Sequence, residues 1–277
     1  MEFGTGLTRR RLVACAGGAL VSPHASQGQV TDLRGFDPLW RSAEDAIHAF
    51  LGDVAYRRDG ITLDLPDHAD AGGAVPLTIA IDCAMTPEDH PRVVHVMAHK
   101  NPTPHVLSVW LTPENGRAEF ASRIRLESSQ TVTAVVQMSD GRHLRTDRDV
   151  AVSFGACAQI GDGANDEVIA FQPRSRVNVP ARAQRGEIIP IRALISHPME
   201  TGLRLGSGEE WVRQRIISRF MCAYRGAGLF RARLYPAVAT NPYFSFYARA
   251  TASGAFEFDC YDTLDLTFTN RAEITAT

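Results

Sequence analysis

The side chain with the most chemical potential in this chain is a thiol. Among the four cysteines beyond the basic and apolar N-terminal segment, Cys157 has the smallest neighbours, in the run Phe154-Gly155-Ala156-Cys157-Ala158-Gln159. Gly155 relaxes the backbone, and Ala156 and Ala158 leave the sulfur unshielded, so a thiol here has the freedom to reach into another protein's cleft. A free thiol titrates near pH 8.5, which leaves only a few per cent as thiolate at neutral pH. No cationic residue adjoins Cys157 in sequence, so activation would fall to a partner. On the residues alone two readings stay open, a covalent attachment point or an incidental cysteine at a strand end.

The other candidates for chemistry read differently. Cys222 alternates with Phe220 and Tyr224, and Cys260 with Phe256 and Phe258, the pattern of small hydrophobes on an inward strand face; a bond between the two is the alternative. Cys83 ends a strand and fits a surface or a buried thiol equally. His90, His95, His99 and His105 raise the question of a metal, with His95 and His99 on one strand face beside Met97, but their spacing matches no metal motif and no metal is expected. No GxSxG elbow, phosphate loop, dinucleotide fingerprint or HExxH occurs. The sequence therefore predicts neither catalytic machinery nor a bound cofactor.

The elements that must position these residues are mostly strands. Apolar positions at Leu39, Trp40, Ala43, Ile47, Phe50 and Leu51 predict one helix within residues 38–53. From Gly60 onward the period is two, at Ile61, Leu63 and Leu65, then Leu77, Ile79 and Ile81, then Val94, Val96 and Ala98. Further strands are predicted over 106–111, 119–126, 131–138 and 145–154, and in the second half from Arg174, over 187–196, 219–224, 229–235, 243–250, 255–260 and 263–268. Turn signals such as Glu114-Asn115-Gly116, Ser139-Asp140-Gly141 and Arg225-Gly226-Ala227-Gly228 separate them. The prediction is an all-β chain, two antiparallel immunoglobulin-like β-sandwiches in tandem with a short N-terminal helix. Gly161, Asp162, Gly163, Asn165 and Asp166 mark residues 158–173 as a linker between sandwiches over 38–157 and 174–277. About 16 linker residues reach at most about 55 Å and average roughly 20–24 Å as a coil, short enough for the sandwiches to pack together.

Length and charge bound the function. At 277 residues two cores are the natural expectation, and a net charge of -2 offers no field for a nucleic acid. No apolar run reaches the roughly 18–20 residues that span a bilayer. Arg9, Arg10 and Arg11 precede an apolar run over 12–21, followed by small residues at Ala25 and Ser26. This predicts an export signal over residues 1–25, of twin-arginine type, and a periplasmic mature chain starting near Ser26.

Longer runs carry a family resemblance. The second half resembles SoxZ at Pro180, at Arg185-Gly186-Glu187, over Arg192-Ala193-Leu194-Ile195-Ser196-His197-Pro198-Met199-Glu200-Thr201-Gly202, and at Asn241-Pro242-Tyr243-Phe244-Ser245-Phe246-Tyr247. The first half resembles SoxY at Met85-Thr86, Lys100-Asn101-Pro102, Ser122-Arg123-Ile124-Arg125-Leu126 and Met138-Ser139-Asp140-Gly141. The whole is similar to the sulfur-oxidation carrier SoxYZ fused into one polypeptide. The resemblance implies that Cys157, matching the cysteine of a glycine-rich GGCGG end, carries sulfur intermediates as covalent adducts without catalysing their conversion. It implies as partners a Sox-type c-type cytochrome that attaches thiosulfate, a sulfate-releasing hydrolase and a sulfane dehydrogenase. Two departures stand out: Ala156 and Ala158 replace glycines, and the arm continues into a linker instead of ending. Fused carriers of this kind resemble a subgroup associated with quinoprotein alcohol dehydrogenases, which implies a second reading with a different cargo; a β-sandwich that only binds a partner is a third.

Overall fold

The computed structural model describes residues 42–156, 174–206 and 210–277. The period-two pattern of the first half becomes β1 (Ile61–Asp64), β2 (His68–Ala71), β3 (Val75–Ile81), β4 (Pro91–Ala98), β5 (His105–Leu111), β6 (Glu119–Ile124), β7 (Gln130–Met138) and β8 (His143–Phe154). The second half supplies β9 (Arg174–Asn178), β10 (Arg182–Ala183), β11 (Ile188–Ser196), β12 (Ile217–Tyr224), β13 (Ala227–Leu234), β14 (Tyr243–Arg249), β15 (Gly254–Asp262) and β16 (Thr267–Ala276). In β11, Ile189, Ile191, Ala193 and Ile195 point inward and every other residue points out, as strict alternation requires.

The strands form two sheets, with orders β1-β3-β6-β14-β11-β9 and β10-β16-β15-β12-β13-β5-β4-β7-β8-β2. Both sheets run across the two halves. Strand β13 pairs antiparallel with β5 from Phe230 opposite Leu111 to Leu234 opposite Leu107, and β14 meets β6 at Ser245 opposite Ala121. Each half still contributes strands to both layers, the tandem arrangement expected, but one shared core replaces two. Its centre is aromatic: Phe230 stacks on Phe246 at 4.1 Å, Phe220 on Phe244 at 4.9 Å, and Phe120 of the first half meets Phe230 edge-on at 6.4 Å. Aromatic pairs of this kind add about 0.5–1.5 kcal/mol each beyond the area that they bury.

Cleaving the chain between Cys157 and Pro173 should therefore leave the halves associated. Co-elution on size-exclusion chromatography at micromolar concentration is the expected result; separation would mean that five register pairs and a shared aromatic core do not hold the halves.

One helix, α1 (Ala43–Leu51), lies within the predicted span. Ser42 caps it by accepting a hydrogen bond from Asp45 N at 3.1 Å, Glu44 and Asp45 sit in its first turn, and Gly52 ends it at φ 66°. Ala46, Ile47 and Leu51 bury against Met97 of β4 and Val135 of β7. Among the described residues no helix is long and apolar enough to cross a membrane. The strand expected over 263–268 is mostly a turn: the Asp262 carboxylate accepts from Leu264 N and Leu266 N, and Asp265 takes φ 62°, which delays β16 to Thr267.

Candidate functional site

Cys157 and Ala158, with the expected linker over 158–173 and the expected signal over 1–25, lie outside the described residues. The chain leading to Cys157 is described up to Ala156. Strand β8 runs beside β2 with Phe154 opposite Ala71, and the backbone then closes onto the loop between β6 and β7. Ala156 N donates to Leu126 O at 3.2 Å, and Leu126 N donates to Gly72 O at 2.8 Å. A Cβ on Gly72 would lie 2.0 Å from Leu126 O, and one on Gly155 2.1 Å from Glu127 O. Both positions admit only glycine because three backbone segments converge there. Gly155 thus serves a close approach, Ala156 is buried, and Phe154 stays 66% exposed.

The loop that receives this root is held by Asn101. Its Nδ2 donates to Arg125 O at 2.8 Å, and its Oδ1 accepts from Glu127 N at 3.1 Å and Gln130 Nε2 at 2.9 Å. Lys100 adds N to Gln130 Oε1 at 2.7 Å and Nζ to Ser129 O at 2.9 Å, while Ser129 Oγ accepts from Val152 N of β8.

Arg125 carries the same loop across to the second half. Its Nη1 donates to Met199 O at 2.7 Å and Pro236 O at 3.2 Å, and its Nη2 to Thr240 Oγ1 at 2.7 Å. The segment that it grips is built around His197. Asn241, at φ 53°, accepts from His197 N and donates N to His197 O, and His197 Nδ1 accepts from Met199 N at 3.0 Å. Nε2 of His197 lies 3.9 Å from Asp262 Oδ2, which also accepts from Arg215 Nε at 3.1 Å. Met199 is in the left-handed region at φ 51°, and its sulfur accepts from Ile217 N. The runs Lys100-Asn101-Pro102, Ser122 to Leu126 and His197 to Glu200 are distant in sequence, and here they form one continuous hydrogen-bonded junction ending at the root of Cys157.

The described thiols are placed for packing. Cys222 and Cys260 are buried on the inward faces of β12 and β15, and all three described cysteines are unbridged. Burial pushes the Cys222 thiol far above its ordinary value and Cys260 up to about 12, with Asp259 adding to both. Cys83 is half-buried, and burial raises its thiol too, with Asp89 and Asp82 acting in the same direction. None has the depressed pKa of a reactive cysteine.

The histidines take separate roles. His95 of β4 and His105 of β5 share the Ser108 hydroxyl, at 2.7 Å from Nδ1 and 2.9 Å from Nε2. Phe50 of α1 stacks on His95 at 3.8 Å and Tyr235 on His105 at 4.0 Å. His99 meets Thr133 Oγ1, and His90 meets Thr86 O. Sequence reasoning did not find this cluster, because a bulge between Val96 and Met97 sets which residues of β4 and β5 meet.

Burial holds His95 at about 3 and His197 at about 4, the latter against the pull of Asp262, and holds His105 well below its ordinary value. All three are depressed relative to an unfolded value near 6.5, so below that pH the unfolded chain binds more protons than the native one. Stability is then full above about pH 6.5 and falls as the pH drops toward 4. At up to about 1.4 kcal/mol per pH unit per histidine, His95 and His197 together should cost on the order of 4 kcal/mol between pH 7 and 5, and His105 adds in the same direction. Urea titrations across that range check the slope, and a flat profile would mean that the histidines are protonated at no cost.

The described residues form a two-layer β-protein with one shared aromatic core, whose backbone is held by hydrogen bonds up to Ala156, one residue before Cys157. Comparison with known proteins gives the family. Residues 47–157 match the sulfur oxidation protein SoxY family and residues 177–273 the sulphur oxidation protein SoxZ family. The chain belongs to the SoxYZ sulfur-oxidation carriers, with SoxY and SoxZ units in one polypeptide. Among solved structures it is similar to the sulfur carrier protein SoxY from Chlorobium limicola f thiosulfatophilum, at 27% identity over 40% of this chain and 96% of that one, with a TM-score of 0.34. It is also similar to a superoxide reductase (neelaredoxin) from Ignicoccus hospitalis, at 15% identity over 41% of this chain and 89% of that one, with a TM-score of 0.32. No curated protein matches the sequence.

Proposed function

We propose that this chain is a periplasmic carrier that holds sulfur intermediates as covalent adducts on the Cys157 sulfur and presents them to sulfur-oxidation enzymes. The observation that carries the reading is the anchored root: Gly155 and Ala156 are fixed on Leu126 and Glu127 one residue before Cys157, whereas burial raises the pKa of every described thiol. A fixed base followed by a single reactive atom suits passage between several clefts.

The cycle balances without a cofactor on the carrier. The thiol and thiosulfate join through a new S–S bond, releasing one proton and two electrons to a c-type cytochrome. Water then cleaves the terminal S–S bond, leaving hydrogen sulfate and a persulfide on Cys157. A sulfane dehydrogenase oxidises the outer persulfide sulfur with three waters, releasing seven protons and six electrons and leaving an S-sulfonate. A second hydrolysis regenerates the thiol. The chain's own residues supply the attachment point and its placement, and the chemistry belongs to the partners.

Intact-mass and peptide analysis of the chain from its native periplasm tests the proposal. The expected result is a mature chain starting near Ser26 with added sulfur, as persulfide or thiosulfonate, on the Cys157 peptide alone. A chain retaining Met1, or one unmodified after incubation with thiosulfate and the cytochrome, would overturn it. The fusion of SoxY and SoxZ units in one chain supports one second reading, a carrier serving a quinoprotein alcohol dehydrogenase. In that case the adduct on Cys157 has a mass other than that of a sulfur or thiosulfate group.

A further inference from the structure

The arginines are unevenly matched over the surface. Arg58, Arg142, Arg145, Arg148, Arg204, Arg215 and Arg271 each hold a carboxylate. On the outward face of the six-stranded sheet, Arg174 and Arg176 of β9, Arg192 of β11, Arg249 of β14 and Arg123 of β6 have no carboxylate partner among the described residues. Register keeps them together: Arg176 is opposite Leu194, Leu194 opposite Tyr243, Arg192 opposite Ser245 and Arg249 opposite Ile188. Arg123 lies over the Tyr243 ring at 5.2 Å. Ile188 and Leu194 are about two-fifths exposed, so the charges surround accessible apolar surface. The acids on this face are Glu119, which takes Arg117 and the Tyr247 hydroxyl, and Asp64 on β1 at the opposite edge. In a chain of net charge -2, such segregation is local.

We propose that this face docks an acidic surface of a partner protein that takes up the Cys157 arm. Arginine and tyrosine side by side make a protein-binding composition, and guanidiniums without a carboxylate among the described residues steer an oppositely charged surface into place. Pairing of this face with the same face of a second copy is disfavoured, because it would bring the same five positive charges together. The face is continuous with the root of the arm: Arg123 is two residues before Arg125 on the strand leading to Leu126 and Glu127, and β9 begins at Arg174 on the far side of residues 157–173. The inference rests on the carrier reading for the partner's identity, and docking itself needs no thiol chemistry.

The test uses the full chain with the thiosulfate-oxidising c-type cytochrome of the same cells as the probe. Binding is measured at low and moderate salt for the wild type, for Arg176→Glu/Arg192→Glu, and for a charge-matched control, Arg182→Glu/Arg271→Glu, on the other sheet. Melting curves confirm folding, and Arg176→Gln/Arg192→Gln serves as a second variant should charge reversal disturb it. Wild-type binding should weaken at least tenfold as salt screens the surface, the sheet-face variants should bind at least tenfold more weakly than wild type at low salt, and the control should bind as wild type. Absence of wild-type binding, equal binding by the sheet-face variants, or equal loss in the control would overturn the proposal. Wild-type preference for anionic phosphatidylglycerol vesicles or duplex DNA over the cytochrome would overturn it as well. Adduct formation on Cys157 is followed in parallel by mass. Salt-dependent binding without an adduct would sink the carrier reading and leave the dock, whereas adduct formation with unchanged variant binding would do the reverse.

Discussion

Cys157→Ser is expected to abolish adduct formation completely while leaving the fold nearly intact. Serine matches cysteine in size, and the strands before it are held through Ala156 by contacts that do not involve residue 157. A stability change well under about 1 kcal/mol is therefore expected, as for an ordinary surface substitution. The hydroxyl cannot form a persulfide or thiosulfonate, since those adducts need a sulfur that is attacked and released reversibly. Cys222→Ser and Cys260→Ser should do the opposite. Each places a hydroxyl among core side chains and should cost about 1–3 kcal/mol while keeping the adduct. Peptide mass spectrometry after incubation with thiosulfate and the oxidising cytochrome, beside melting curves, separates the two behaviours. An adduct that persists in Cys157→Ser would refute the assignment and point to Cys83, the described cysteine with the least burial.

Much of the fold was legible because alternation is a local signal. Val94, Val96 and Ala98, or Ile189, Ile191, Ala193 and Ile195, declare an inward face without reference to any partner strand. What alternation cannot declare is which strand lies alongside. The pairing of Phe230 with Leu111 joins residues from opposite halves, and for that reason two cores were expected where one exists. Strand β2, read His-Ala-Asp-Ala, alternates only through two alanines, too small to declare a face on their own; β8 offers it a parallel edge. The turn after Asp262 was hidden for another reason. A carboxylate accepting two backbone N–H groups overrides the strand preference of Thr263 and Leu264.

The site was legible unevenly. Cys157 stood out by its small neighbours, although the same sequence gave no hint that Gly155 lies against the Glu127 carbonyl. Nor did local pattern reveal that motifs in the two halves touch. Family resemblance marked Lys100-Asn101-Pro102, Arg125 and His197 to Glu200 as three separate runs, and only their hydrogen bonds show why these residue types belong together. An amide that both donates and accepts is needed at 101, and a planar fork of donors at 125.

Arg125→Met is accordingly expected to be the most destabilising single change at the junction. Methionine keeps much of the length and apolar body of arginine, so the loss isolates the guanidinium. Without it, Met199 O and Pro236 O lose a charged donor and Thr240 Oγ1 loses another, in a place where Ala237 O already takes the Arg125 backbone N–H. Hydrogen bonds to charged groups contribute about 1.5–3 kcal/mol each, and partly buried carbonyls left unpaired add a desolvation cost, so a loss of roughly 3–5 kcal/mol is expected. Arg125→Lys should recover only part of this, because a single ammonium cannot reproduce a planar fork across carbonyls from two segments. The loss should fall on the grip between halves. After cleavage between Cys157 and Pro173, the methionine variant should separate on size-exclusion chromatography at concentrations where the cleaved wild type stays whole. Urea midpoints within about 0.5 kcal/mol of wild type, with the cleaved variant still intact, would show that the shared sheets alone hold the halves and that the Arg125 junction only orients the root of the arm.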